Sequence, residues 1–228
     1  MRCFPRCGLL PLVNGVVTQY SFKMHKYAKT CIESCKMNEP VHTFRLATPD
    51  DAETLLKIYE PYIATTVTNE TQVPALGEFR QRIVERDGMY PYIVCEEDGR
   101  PVGYAYGSRL FSRAAYAWSA ELSVYFSTDH RGRGLGRAIY GKLFDLLALQ
   151  GVRTVVGKVV CPNEKSDHLH EKMGFELVGT LRAASWKLGA WHDVHLWEKH
   201  IGDVEAEPAP LLRLSEVDPE KVCAILEA

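Results

Sequence analysis

The residues best able to do chemistry in this chain lie in Arg131-Gly132-Arg133-Gly134-Leu135-Gly136. Ahead of them, Trp118 to Phe126 alternates apolar with polar residues and is rich in Val, Tyr and Phe, the pattern of a half-buried strand. From Leu135 onward, Ile139, Leu143, Leu146 and Leu147 fall on one face of a helix. A strand, a glycine-rich turn and a helix in that order hold an anion. Glycines let the backbone approach a ligand without Cβ clashes, and the first N–H groups of the helix, with the positive end of its dipole, point into the turn. A pyrophosphate would fit there.

Two other phosphate loops are excluded by the surrounding residues. A P-loop closes with Gly-Lys-Ser/Thr, but Arg137-Ala138 follows Gly136. A dinucleotide fold requires GxGxxG and an acidic residue ending the next strand. Here the glycines stand at 132, 134 and 136, and the next strand runs into Cys161-Pro162-Asn163. What remains is R-x-x-G-x-G behind a strand that carries one carboxylate, Glu121. Further on, Asn163-Glu-Lys-Ser166-Asp-His168-Leu-His170-Glu-Lys-Met-Gly174-Phe175 predicts a helix with Asn163 at its N-cap and Gly174 just past its end.

The elements that must position these residues are legible on both sides. Val41 to Ala47 alternates as a strand, and Thr48-Pro49-Asp50-Asp51 starts a helix whose Leu55, Ile58, Tyr59, Tyr62 and Ile63 share a face. Thr65 to Pro74 is a polar, β-branched loop, and a helix over Glu78 to Arg86 turns Phe79, Ile83 and Val84 inward. Tyr90 to Glu97, the turn Asp98-Gly99 and Pro101 to Ser108 make a hairpin, giving an antiparallel meander with the strand of Glu121. Gly107 to Ala115 breaks the pattern. Its Arg109 and Arg113 read either as solvated cations or as guanidinium groups beside a pocket, placed to fork onto a carboxylate. Val152 to Val160 reads as a buried strand, and Phe175 to Arg182 and Ser185 to His200 as two closing strands, the second marked by Trp186, Trp191 and Trp197.

With 228 residues, 46% hydrophobic and 25% charged, the chain can bury a sizeable core as one main domain with extensions. A formal charge of -2 gives no drive toward nucleic acid or a membrane surface, and no apolar run approaches a spanning helix. The odd count of seven cysteines favours reduced thiols and a cytoplasmic setting. Residues 1–40 form a basic leader, with six Lys or Arg against two Glu and no sustained periodicity, whose charge also suits organelle targeting. Cys3, Cys7, Cys31 and Cys35 in it are spaced too widely for a zinc knuckle, so no metal is expected.

The phosphate turn together with N-x-x-S-x-x-L-x-E-K-x-G-F resembles the two halves of the acetyl-CoA signature of the GNAT N-acetyltransferases. Ala117-Trp-Ser-Ala-Glu-Leu-Ser-Val-Tyr and Leu181-Arg-Ala-Ala-Ser-Trp-Lys-Leu-Gly-Ala-Trp-His-Asp-Val narrow the likeness to the phosphinothricin and methionine sulfoximine acetyltransferase subfamily. The resemblance runs from about Phe44 to Ile201. It implies an α/β (α+β) GNAT fold: a mixed central sheet of about seven strands flanked by about four helices, over residues 41–201. Residues 202–228 then form an acidic tail with a short helix from Asp218 to Leu226.

The resemblance also assigns roles. Acetyl-CoA would be held by Val124, Tyr125 and Phe126 on the strand, by Arg131, Gly132, Arg133, Gly134, Leu135 and Gly136 in the turn, and by Asn163 and Ser166. Glu121 would be the base that deprotonates the amine, its pKa raised by desolvation among Trp118, Val124 and Tyr125. A strand N–H from Val124 or Phe126 would face the thioester oxygen. His170 takes the place where many acetyltransferases carry a Tyr general acid. The acceptor, a small-molecule amine, would be met by Arg113 and by the segment of Asn69 and Glu70, with His192 contributing a pocket wall or a structural hydrogen bond. The subfamily has an aromatic residue where Asn69 stands, so the preferred amine can differ. A homodimer is implied through the closing strands. The competing readings are a peptide or protein amine acetyltransferase and a CoA-binding module without catalysis.

Overall fold

The computed structural model describes residues 41–86, 88–205 and 207–228. Cys3, Cys7, Cys31 and Cys35 lie outside the described residues. Seven strands, β1 (His42–Leu46), β2 (Tyr92–Glu97), β3 (Arg100–Arg109), β4 (Ser119–Phe126), β5 (Thr154–Val160), β6 (Glu176–Lys187) and β7 (Ala190–His200), form one sheet in the order β1-β2-β3-β4-β5-β7-β6. The helices among the described residues are α1 (Ala52–Ile63), α2 (Leu76–Arg86), α3 (Leu135–Gln150), α4 (Glu164–Lys172) and α5 (Pro219–Glu227). Four of them lie within residues 41–201, as expected, and the fifth is the short helix read at the C-terminal end. None of the described helices is long and apolar enough to cross a membrane.

Antiparallel pairing carries the chain from β1 to β4, and Asp98-Gly99 turns the β2–β3 hairpin with φ of 50° and 76°, the left-handed pair a tight hairpin needs. β4 and β5 then run parallel, which two strands can do only through a crossover, here α3. On one face of the sheet Ala120, Leu122, Phe126, Val155 and Val159 pack with Ile139, Leu143 and Leu147 of α3. On the other, Tyr92, Val94 and Tyr104 meet Leu55, Ile58 and Tyr59 of α1 and Phe79 and Ile83 of α2. Val84, expected inward, is 43% exposed, because one helical step of about 100° from Ile83 carries it off the face that Phe79 and Ile83 share.

The closing strands differ from expectation. β6 does not break at Ala183 but bulges there, with φ of 47° and a register shift between Leu181 and Ser185, and the turn falls at Leu188-Gly189. Trp186 therefore belongs to β6, where it pairs with Trp191 of β7, ring centroids 5.3 Å apart and edge to face. The stretch from Gly202 to Ala228, read from sequence as a tail, is also built into the core. Its Leu214, Val217, Val222 and Leu226 join the cluster around α3, Lys142 Nζ donates to the Ile225 carbonyl at 2.9 Å, and Trp118 Nε1 donates to the Ala209 carbonyl at 2.8 Å.

Candidate active site

The site begins where two strands part. β4 and β5 pair from Ser119 opposite Thr154 to Leu122 opposite Gly157, after which β4 runs on to Phe126 and β5 to Val160. The odd-numbered main chain of β4 faces β3, a ladder that Ser127 N–H extends to the Val102 carbonyl at 2.9 Å. Strand alternation therefore points the N–H and C=O of Val124 and Phe126 toward the parting. Phe126 is already engaged there: its N–H donates to the Tyr62 hydroxyl at 3.0 Å, and that hydroxyl donates to the Phe126 carbonyl at 2.6 Å. Of the two strand donors named from sequence, Val124 is thus the one without this engagement.

At the end of β4 the glycine turn has the conformation its sequence demands. Gly132 and Gly134 take φ of 76° and 82°, and a Cβ on either would meet nothing within 4 Å, so the backbone faces open space. Arg137 N–H makes the first helical bond, to the Gly134 carbonyl at 3.0 Å, leaving the N–H groups before it directed out of the helix end. Gly136 serves packing, since Leu169 of α4 lies 3.5 Å from where its Cβ would be. The arginines are fixed by neighbours. Arg131 lays its guanidinium 4.4 Å over the Tyr62 ring, and Arg133 pairs with Glu97 at 2.7 Å. Glu97 also holds His130 and His42; burial works against its charge, but these hydrogen bonds prevail and keep the carboxyl below the usual carboxylate range.

A narrow cleft of about 60 Å³ lies in the parting, walled by Val124, Tyr125, Lys158, Asn163, Ser166 and His170. Asn163 caps α4 by accepting from Ser166 N–H at 3.3 Å. His170, 3% exposed, stands one turn further along, edge to face with Phe175 and stacked on Trp197. Its Nδ1 lies 2.8 Å from the Ser166 carbonyl, which can only accept, so Nδ1 carries the proton and Nε2 a lone pair. That Nε2 is buried with no hydrogen-bond partner among the described residues. Burial pushes the imidazole below its ordinary value, with Ser166 and Asp167 opposing only in part. In its neutral form His170 is therefore a proton acceptor at the cleft, and it becomes an acid only once protonated.

Glu121 comes from the opposite face. Gly157 turns toward His170, so Lys158, the next residue of β5, turns the other way, where its Nζ donates to Glu121 at 2.7 Å. The carboxylate expected among apolar neighbours is instead held by an ammonium.

The residues named for the acceptor are mostly engaged with one another's supports. Asn69 accepts from Ser185 Oγ at 2.7 Å, Glu70 pairs with Arg82 at 2.5 Å, and the Thr68 carbonyl between them and α1 accepts from the buried Lys187 ammonium at 2.6 Å. His192 Nε2 bonds the Lys187 carbonyl at 3.0 Å, a contact within the β6–β7 hairpin. Arg113 is exposed on the β3–β4 connection, ahead of a 3-10 turn over Ala114–Tyr116, with no ion pair among the described residues linking it to Glu121, Asn69 or His170.

A parted parallel pair with a glycine turn at its mouth is matched by a known family: residues 44–196 fit the model of the acetyltransferase (GNAT) domain. The chain belongs to the GNAT acetyltransferases. Among its GNAT relatives is the phosphinothricin N-acetyltransferase of Streptomyces viridochromogenes, 35% identical over 176 residues that cover 76% of this chain and 94% of the relative. The L-methionine sulfoximine/L-methionine sulfone acetyltransferase of Salmonella typhimurium is 27% identical over 73% of this chain and 99% of its own length. A GNAT superfamily phosphinothricin acetyltransferase from Sinorhizobium meliloti, solved in complex with AcCoA, superposes with a TM-score of 0.72 at 29% identity, covering 77% of this chain and 97% of that one.

Sequence reasoning did not single out three residues that hold these groups in place: Tyr62, Lys158 and Lys187. Lys158 had a signal, a lone ammonium within the apolar run Val155-Val156-Gly157-Lys158-Val159-Val160. Tyr62 had none, since its place among the apolar positions of a helix marks it only as core.

Proposed function

We propose that this GNAT chain transfers the acetyl group of acetyl-CoA to the amine of a small amino acid or analogue, of the phosphinothricin and methionine sulfoximine kind, as a homodimer. The observation that carries the reading is the parted edge of β4, with Val124 facing the gap, Gly132 and Gly134 open at its mouth and the unpartnered Nε2 of His170 beside it. These features fit coenzyme A: the turn would hold the diphosphate, the β4 edge the amide-bearing arm, and Asn163 and Ser166 the far wall. When bound, acetyl-CoA supplies the acetyl group as an activated thioester.

The chain's own residues then manage a proton and a charge. Glu121 accepts a proton from the amine, and the Lys158 ammonium, 2.7 Å away, holds the carboxylate in place. Val124 N–H faces the carbonyl oxygen as negative charge builds on it. Once the amine has added, its nitrogen carries a further proton; His170, an acceptor when neutral, takes that one at Nε2 and gives it to the departing sulfur. The ties on Thr68, Asn69 and Glu70 support a small acceptor, because they fix that loop against β6 and α2. The dimer reading is supported by Leu181, Trp186 and Trp191, large apolar side chains exposed together on the β6–β7 hairpin.

Thiol release from acetyl-CoA in the presence of amino acids, including methionine sulfoximine and phosphinothricin, tests the reading, with Glu121→Gln expected to lower kcat by about 10²–10⁴-fold. Peptide amines outrunning every free amino acid would transfer the assignment to macromolecular acceptors. No turnover with any amine would refute it.

A further inference from the structure

Tyr62 stands where β4 loses its neighbour. It lies in the last turn of α1, buried, with its ring edge to face on Tyr125 at 5.1 Å. Its hydroxyl occupies both main-chain groups that Phe126 presents to the gap. In a closed sheet a residue of the next strand would take those groups; here a phenol does so. An extended chain of amides adding to this edge needs the same N–H and C=O. The pantetheine arm of coenzyme A is such a chain.

Resting on the donor assignment above, we propose that Tyr62 is a removable cap on the donor strand, whose hydroxyl holds Phe126 until an amide of the pantetheine arm replaces it. The local structure suits a cap that moves. Pro61, just before it, has no N–H to bond the Lys57 carbonyl, so the last turn of α1 is held by one backbone bond fewer and pivots at lower cost. Arg131 is tied to the same cluster, its guanidinium over the Tyr62 ring and its Nε 3.4 Å from the Phe126 carbonyl, so withdrawal of the cap also releases this cation at the phosphate turn. The acceptor loop starts from the same residue: Thr65 bonds the Tyr62 carbonyl through its N–H at 3.0 Å and through Oγ1 at 2.7 Å. Tyr62 is thus a positioning residue that touches the donor strand, the turn and the loop.

Calorimetric titration of wild type and Tyr62→Phe with CoA and with adenosine 3′,5′-bisphosphate, which lacks the arm, tests the cap. Removing the competing hydroxyl should tighten CoA binding about threefold to tenfold, the scale of one net hydrogen bond, and leave the bisphosphate unchanged. CoA affinity that is unchanged or weaker, or the two ligands shifting together, would overturn it. Should Tyr62→Phe fail to fold, wild type labelled with ¹⁵N-phenylalanine gives the second readout: the Phe126 amide resonance should move with CoA and stay with the bisphosphate. A resonance that CoA leaves in place overturns the cap. Wild type that binds neither ligand refutes the donor assignment itself, and the cap with it.

Discussion

The imidazole of His170 fills the space that a side chain at Gly157 would occupy. Gly157 is therefore required for close approach, since its φ is not in the left-handed region, and Phe175 and Trp197, their ring centroids 4.9 and 6.0 Å from that of the imidazole, pack against the ring. Gly157→Ala should lower kcat about a hundredfold by displacing the ring, and destabilise the fold by about 1–3 kcal/mol through overpacking. Steady-state kinetics and urea unfolding read the two effects separately.

The burial of His170 also makes the fold sensitive to acid. The folded state holds this imidazole below its ordinary value of 6.5, so between the two values the unfolded chain binds the extra proton. Stability is therefore full above pH 6.5, falls as pH drops through the window below it, and stops falling once the folded imidazole is itself protonated. Urea unfolding across this range should show a steeper acid loss for wild type than for His170→Asn. Equal slopes would mean that His170 titrates alike in both states.

Much of this architecture could be read from residue pattern because it obeys local rules. Asp98-Gly99 admits the left-handed pair of a tight hairpin, Asn163 caps a helix, and the apolar period of α3 fixes its inward face. Where reading failed, the deciding contact was distant. Ala183 carries no mark of a bulge, and the Leu188-Gly189 turn wins because Trp186 then pairs with Trp191 across the hairpin. The glycine turn was legible by residue type, whereas Tyr62 and Lys187 gained their places only through partners more than sixty residues away in the chain, Phe126 (|i−j| = 64) and Thr68 (|i−j| = 119).

Lys187 offers a test of the acceptor loop. Its ammonium, 4% exposed as a residue, is the donor that holds the Thr68 carbonyl. Lys187→Met keeps the stem and deletes the donor. The KM for the amine should rise about tenfold, as expected from losing a charged hydrogen bond of about 1.5 kcal/mol, while calorimetry finds the Kd of CoA unchanged. A shift in CoA affinity instead would place the residue's effect on the donor side.

The C-terminal segment lies beyond the residues that match the family, yet it supports α3. Leu226 is 9% exposed within that cluster. Leu226→Ala should therefore cost about 2 kcal/mol of stability, the low end for a buried leucine, in urea unfolding. A change within a few tenths would mean that the segment is only appended to the domain.

Because a parallel pair of strands demands a long crossover, β4, α3, β5 and α4 follow one another without interruption, and they carry Glu121, Val124, the glycine turn, Asn163 and His170 in a single run of chain. The residues proposed to meet the amine come instead from scattered places: the loop after α1, the β3–β4 connection and the β6–β7 hairpin. The groups proposed for the acyl donor thus sit in one continuous block, while those proposed for the nucleophile are spread over separate segments. A substitution in any one of those segments can alter acceptor choice and leave the donor block untouched.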